Sequence, residues 1–169
     1  MRFKYCPHCG TKTVDRLIGD EGLMPFCEKC DIPLFDMFSS AIIVLVVNDE
    51  GEVALLRQNY ISTQYRNLVS GYMKPGETAE ETARREVMEE IGIDLKELRL
   101  IGTKWFATKD MLMIAFIGYA QNTDFRISDE VNSVEWVSAE DAIHMVHPKA
   151  PGNASYYLVE TYLQEQQPF

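Results

Sequence analysis

The chain has 169 residues, of which 46% are hydrophobic and 25% charged, with a formal net charge of −10. That length allows one globular domain with a substantial core, or one such domain plus a small appendage, with a single large unit the better reading, and the composition argues against extensive disorder. The acidic balance lacks the basic footprint of a general nucleic-acid binder, although it does not exclude enzymes that take nucleotides into an acidic, metal-loaded pocket.

In chain order, the first feature is a cysteine pattern. All four cysteines lie in the first 30 residues, as Cys6-x2-Cys9 and Cys27-x2-Cys30, with 17 residues between the pairs. Two knuckles, CPHCG and CEKC, can each aim two thiolates at one tetrahedral Zn2+, which would hold a segment too small to bury its own core. Two disulfides in an exported protein are the other reading, and Met1 to Gly10 lacks the apolar stretch of a signal peptide. His8 is surplus to a four-thiolate site and reads as a surface residue. Residues 1–37 therefore form a candidate zinc ribbon, and residues 38–169 the main domain. The longest apolar run, Ala41 to Val47, is too short to span a bilayer, so the expectation is a cytoplasmic protein with no membrane partner.

That run, AIIVLVV, is rich in β-branched residues and ends at Asn48-Asp49-Glu50-Gly51, a turn leading into a second strand from Glu52 to Gln58. Further strands are expected at Leu98 to Trp105, Leu112 to Tyr119 and Val134 to Val137. With helices between some of them, the class is α/β or α+β around a mixed sheet. Thr78 followed by Glu81 has the spacing of a capping box, which starts a helix, and Gly92 is the residue suited to end it. A second helix is expected from Ser138 and a third over Ser155 to Glu165.

On the first of these helices, Glu86, Glu89 and Glu90 share a face while Val87 and Ile91 turn toward the protein body. A solvated acidic face neutralised by Arg84 and Arg85 is one explanation. The other is a site for a hard divalent cation, Mg2+ or Mn2+, which takes oxygen ligands and relieves the repulsion. The flanking residues favour the second. Gly71, Glu77, Arg85, Glu86, Val87, Glu89, Glu90, Gly92 and Ile93 fill the pattern G-x5-E-x7-R-E-U-x-E-E-x-G-U, where U is aliphatic. This resembles the Nudix hydrolase box at every fixed position. The resemblance implies a Nudix fold, a mixed sheet sandwiched between helices, and metal-dependent hydrolysis of a nucleoside diphosphate linked to another group. It also implies that Glu86, Glu89 and Glu90 bind the cation, joined by the carbonyl of Gly71. Arg85 and Glu77 are implied to fasten the glutamate-bearing helix to its loop.

The stretch RNLVSGYMKPGE and the preceding four-cysteine ribbon are similar to NADH pyrophosphatases, a Nudix subgroup. Glu130 to Trp136 has the subgroup's E-x5-W spacing, which implies that Glu130 is a further metal ligand or general base. The subgroup's S-Q-P-W-P-F-P-x-S motif is replaced by Thr103 to Met111, without proline, so the reaction is implied more firmly than the substrate. NADH, NAD+ or ADP-ribose are the substrates expected, with removal of a nucleotide cap from RNA or a non-catalytic nucleotide sensor as alternatives. Tyr72, Trp105 and Phe106 are candidates for a base-binding face. Lys74, His144 and His147 receive no role. A homodimer is what the resemblance to the subgroup suggests.

Overall fold

The computed structural model describes residues 2–166, and the chain divides into two compact units at the Phe38–Ser39 boundary. In the N-terminal unit, β1 (Val14–Leu17), β2 (Leu23–Cys27) and β3 (Ile32–Pro33) form an antiparallel sheet in that order. Its buried hydrophobic cluster is small: Cys6, Cys27 and Leu34, with Phe3, Cys9, Cys30 and Ile32 packed around them. So few apolar groups cannot offset the conformational entropy of ordering such a segment, which makes a crosslink through the cysteines the main available source of stability.

The second unit runs β4 (Ser39–Val47), β5 (Val53–Arg57), β6 (Val69–Tyr72), α1 (Ala79–Ile91), β7 (Leu95–Phe106), β8 (Met111–Ala120), β9 (Ser133–Val137), α2 (Ala139–Met145) and α3 (Ala154–Gln166). The strands join in the order β7-β8-β4-β5-β9, with β6 also paired to β4. Only the β4–β8 ladder is parallel, so the sheet is mixed. The continuous apolar run of β4 follows from covering both faces. Ile42, Val44 and Val46 pack with Val87 and Ile91 of α1, while Ile43, Leu45 and Val47 pack with Leu158 and Val159 of α3. The result is the expected α+β architecture, a mixed sheet with helices on both faces. Among the described residues, no helix is long and apolar enough to cross a membrane.

Local chemistry sets the ends of α1. Thr78 accepts from the Glu81 amide while the Glu81 carboxylate accepts from the Thr78 amide, the reciprocal capping box read in the sequence. Gly92 ends the helix with φ 69°, and its amide donates to the Met88 carbonyl. Two features differ from expectation. β6 is set by pairing with β4, since four residues containing Ser and Gly carry little strand signal of their own. β7 begins at Leu95 rather than Leu98, through register shifts near Glu97 and Gly102 that a simple alternation does not reveal.

The end of α1 is also an attachment point. The Arg126 and Ser128 amides donate to the carbonyls of Ile91 and Glu90 at 2.9 and 3.1 Å, fastening the segment that leads to Glu130. A Cβ on Gly92 would lie 2.6 Å from the Arg126 Cβ and 3.0 Å from its backbone nitrogen. Gly92→Ala therefore combines a left-handed strain with a backbone clash. It is expected to cost about 1–3 kcal/mol in urea unfolding, and an unchanged midpoint would show that this contact is not rigid.

Candidate active site

Gly71 lies on β6 directly beneath α1. A Cβ there would fall 2.0 Å from the Glu86 carboxyl carbon, so only glycine admits the Glu86 carboxylate in this position. The next residue, Tyr72, offers its carbonyl to Arg85 Nη2 at 3.3 Å. β6 therefore supplies the floor on which the acidic face of α1 rests.

Arg85 organises that face. Its Nε and Nη2 donate to the two oxygens of Glu77 at 2.7 and 2.9 Å, and Nη1 donates to Glu86 at 2.6 Å and Glu89 at 3.0 Å. Glu77 also accepts from the buried Thr82 hydroxyl and the Lys74 amide at 2.9 and 3.1 Å. The Arg85 guanidinium, with these added donors, holds the Glu77 carboxyl down to about 2. In return the carboxylates, Glu77 foremost, push the Arg85 pKa up. A bidentate ion pair of this geometry pins the loop before α1 to the second turn of the helix.

Glu90 lies deeper. It is 5% exposed, Oε1 accepts from Gln58 Nε2 at 3.3 Å, and Oε2 is buried with no hydrogen-bond partner among the described residues. Burial, and next the charge of Glu86, push its pKa up to about 8. The charge of Glu130 adds to this, and Glu90, Glu130 and Glu86 all raise the pKa of the Tyr60 hydroxyl after burial itself. The fold thus brings Glu130 to the same edge as Glu86 and Glu90. Beside them is an open cleft of about 470 Å³ lined by Asn59, Tyr60, Asp129, Glu130 and Asn132.

These residues fit a divalent cation on physical grounds. A buried carboxylate oxygen without a donor, a second carboxylate admitted by a glycine floor and a third on the adjacent turn are an uncompensated set of hard oxygen ligands. The three carboxylates are not drawn tightly together, however. Among the described residues, the four cysteines are the only metal-competent group of three or more with ligand atoms all within 4.8 Å of one another. Arg85 engages Glu86 and Glu89, whereas Gln58 engages Glu90.

The cysteine cluster is compact. Sγ separations of 3.9 Å for Cys6–Cys30 and 3.5 Å for Cys9–Cys27 bracket the ~3.8 Å edge of a tetrahedron with metal–sulfur bonds of about 2.3 Å. No disulfide links them, and Cys9 Sγ also donates to the Thr11 hydroxyl at 3.2 Å. His8 is exposed and lies outside this group.

The candidate base-binding aromatics do not converge. Phe106 lines a cavity of about 320 Å³ with Ile43, Leu68 and Met113, and with Ser70 of β6 at its edge. Tyr72 and Trp105, 56% and 46% exposed, are not among the residues lining it. His147, given no role in the sequence, lines the cavity and packs its ring against Tyr65. Gln58, Tyr60 and Thr82 were also not singled out. Gln58 carried one usable signal, an uncharged polar residue in phase with Ala54 and Leu56.

The NUDIX domain family matches residues 37–158. The chain belongs to the Nudix family. This Nudix chain is 32% identical over 167 residues to the NAD-capped RNA hydrolase NudC of Pseudomonas syringae pv. tomato, covering 96% of its own length and 56% of that protein. It is 26% identical over 162 residues to the protein of the same name from Pseudomonas fluorescens, covering 95% and 56%. The chain thus spans a little over half the length of the curated relatives it matches. Among solved structures, a NUDIX hydrolase from Nitrosomonas europaea shares the fold with a TM-score of 0.73 at 20% identity, covering 98% of this chain and 95% of that one. A MutT protein from Methanosarcina mazei Go1 superposes with a TM-score of 0.61 at 25% identity, covering 80% and 99%.

The burial of Glu90 has a consequence for pH. Between about 4.5 and about 8 the folded, metal-free protein keeps a proton that the unfolded chain has released, so stability falls as pH rises through this window. Glu90→Gln cannot ionise. In chelator-treated buffer it is expected to match wild type near pH 4.5 and to exceed it at pH 8 by on the order of a few kcal/mol. Parallel stability curves for the two proteins would contradict the assignment of this carboxyl as a buried, strained acid.

Proposed function

We propose that this chain hydrolyses the diphosphate linkage of an NAD-type dinucleotide, free or capping an RNA 5′ end, with Mg2+ or Mn2+ held by Glu86, Glu89 and Glu90. The observation that carries the reading is the buried, donorless Glu90 oxygen next to Glu86 on its glycine floor. Such an arrangement is costly in a purely structural helix and is relieved by a hard cation. The name of the Pseudomonas relatives supports the choice of substrate.

Each residue then has a task. Glu86, Glu89 and Glu90, with the Gly71 carbonyl, offer oxygen ligands, and Arg85 with Glu77 keeps the helix in register with its loop. Bound there, Mg2+ or Mn2+ would neutralise charge on the diphosphate and lower the pKa of a water. Glu130, across the cleft, is the proposed proton acceptor for the attacking water or a further ligand. Phe106, in the apolar cavity, is the aromatic best placed to take a base or nicotinamide ring, and Tyr72 and Trp105 are left to the rim. The segment lacking the prolines of the NADH pyrophosphatase motif contributes both Phe106 and Lys109 to that cavity. We assign Zn2+ to Cys6, Cys9, Cys27 and Cys30 in a structural role, and a cytoplasmic homodimer as the assembly.

Incubation with Mn2+ and NAD+, NADH, ADP-ribose or NAD-capped RNA, followed by chromatography of the products, tests the reaction. Cleavage of the dinucleotides to a nicotinamide mononucleotide and AMP is expected. Folded Glu89→Gln and Glu90→Gln variants should be slower by roughly a hundredfold or more. Full-rate turnover by either variant would remove its glutamate from the site, and no turnover by wild type would favour a nucleotide sensor. Metal analysis of freshly purified protein should find about one zinc per chain. Chelation should make residues 2–38 protease-sensitive before hydrolysis is lost, and zinc-free protein with an equally resistant N-terminal unit would overturn the structural role.

A further inference from the structure

The residue that touches Glu90 belongs to no box and was not picked out in the sequence. Gln58 lies immediately after β5, at the start of a turn in which its carbonyl accepts from the Ile61 and Ser62 amides at 2.9 and 3.0 Å. Its side chain is 1% exposed. By strand phase it shares a face with Leu56, whose side chain lies in the apolar layer under α1. An amide in that place costs free energy unless its hydrogen bonds are made, and a leucine or methionine would fill the space without that cost.

The bonds that Gln58 makes are specific. Nε2 donates to Glu90 Oε1 and to the Tyr60 hydroxyl, both at 3.3 Å, while Gln58 Oε1 has no partner among the described residues. A group retained only for packing would not leave one half of its amide unsatisfied and direct the other half at a carboxylate of the acidic edge. One Glu90 oxygen is thereby engaged by a neutral donor, and Oε2 makes no hydrogen bond among the described residues, the Ser70 backbone amide being the other donor that acts on this carboxylate. Arg85 performs the analogous service for Glu86 and Glu89 with a full charge. At Glu90 the amide fixes the carboxylate without adding charge.

Accordingly, we propose that Gln58 is a positioning residue for the hydrolytic site, fixing the plane of the Glu90 carboxylate so that Oε2 is available to a divalent cation. This deepens the reading above and rests on it. Partners that orient metal ligands typically contribute 10- to 100-fold to metal affinity or activity, roughly the scale expected of this contact.

The test compares wild type with Gln58→Met, which keeps length and volume but lacks the donor, and with Gln58→Asn, which keeps the amide but falls short by one methylene. Three quantities are read on zinc-loaded protein: Mn2+ dissociation constant without substrate by calorimetric titration, kcat and KM for NAD+ or whichever dinucleotide wild type cleaves, and unfolding in buffer without Mg2+ or Mn2+. Both variants should bind Mn2+ about 10-fold more weakly and turn over about 10-fold more slowly, with KM within about twofold of wild type. A purely structural glutamine would lower the unfolding midpoint in that buffer and leave Mn2+ affinity and kcat of the folded protein unchanged. That pattern in both variants overturns the proposal while sparing the hydrolase reading. Wild-type protein that neither binds Mn2+ nor cleaves a dinucleotide overturns both.

Discussion

One guanidinium holds the acidic edge together. Arg85 reaches Glu77 through two nitrogens and Glu86 and Glu89 through a third, and it also bonds the Tyr72 carbonyl of β6. Loop, helix and strand are thereby fixed to one planar group, which is what lets several carboxylates share a face without the helix pulling away from the sheet. Lysine could not replace it, since a single ammonium lacks the fork that binds Glu77 in two places at once. Remove that clamp and the glycine floor under Glu86 loses its purpose, because nothing would then keep the carboxylate over it.

The clamp neutralises only part of the charge. Glu86 and Glu89 share one Nη1, whereas Glu90 is turned inward against a neutral amide and raised to about 8 by burial and by its acidic neighbours. Below about pH 8 the metal-free site meets this deficit of positive charge with a proton on Glu90, which a hard cation binding the carboxylates would displace. The zinc-competent cysteines solve a different problem with related physics. There the apolar cluster is too small to hold three short strands, and four soft sulfur ligands stand at tetrahedral spacing.

Much of this was legible in the sequence because local rules dominate where it was legible. The capping box at Thr78 and Glu81, the stop at Gly92 and the two cysteine knuckles are short-range patterns with one physical meaning each. The β-branched run from Ala41 to Val47 announced the strand β4, and the structure adds that both its faces are covered. What stayed hidden depends on partners distant in the chain. β6 is a strand only because β4 lies beside it, and Gln58 matters only because Glu90, 32 residues later, folds onto it. The spread of Tyr72, Trp105 and Phe106 was equally hidden, since aromatic type says nothing about which cavity a ring enters. Phe106 lines the apolar cavity, while the other two remain outside it.

The central claim is that the acidic edge is a cation site under electrostatic strain. It is tested most directly by thermal unfolding of zinc-loaded protein at pH 8, with and without Mn2+, for wild type and for Glu86→Gln/Glu89→Gln/Glu90→Gln. Mn2+ should raise the wild-type midpoint and leave the triple variant unmoved, because the variant no longer carries the carboxylates that the metal would bind. An equal rise in both proteins, or none in wild type, would contradict it.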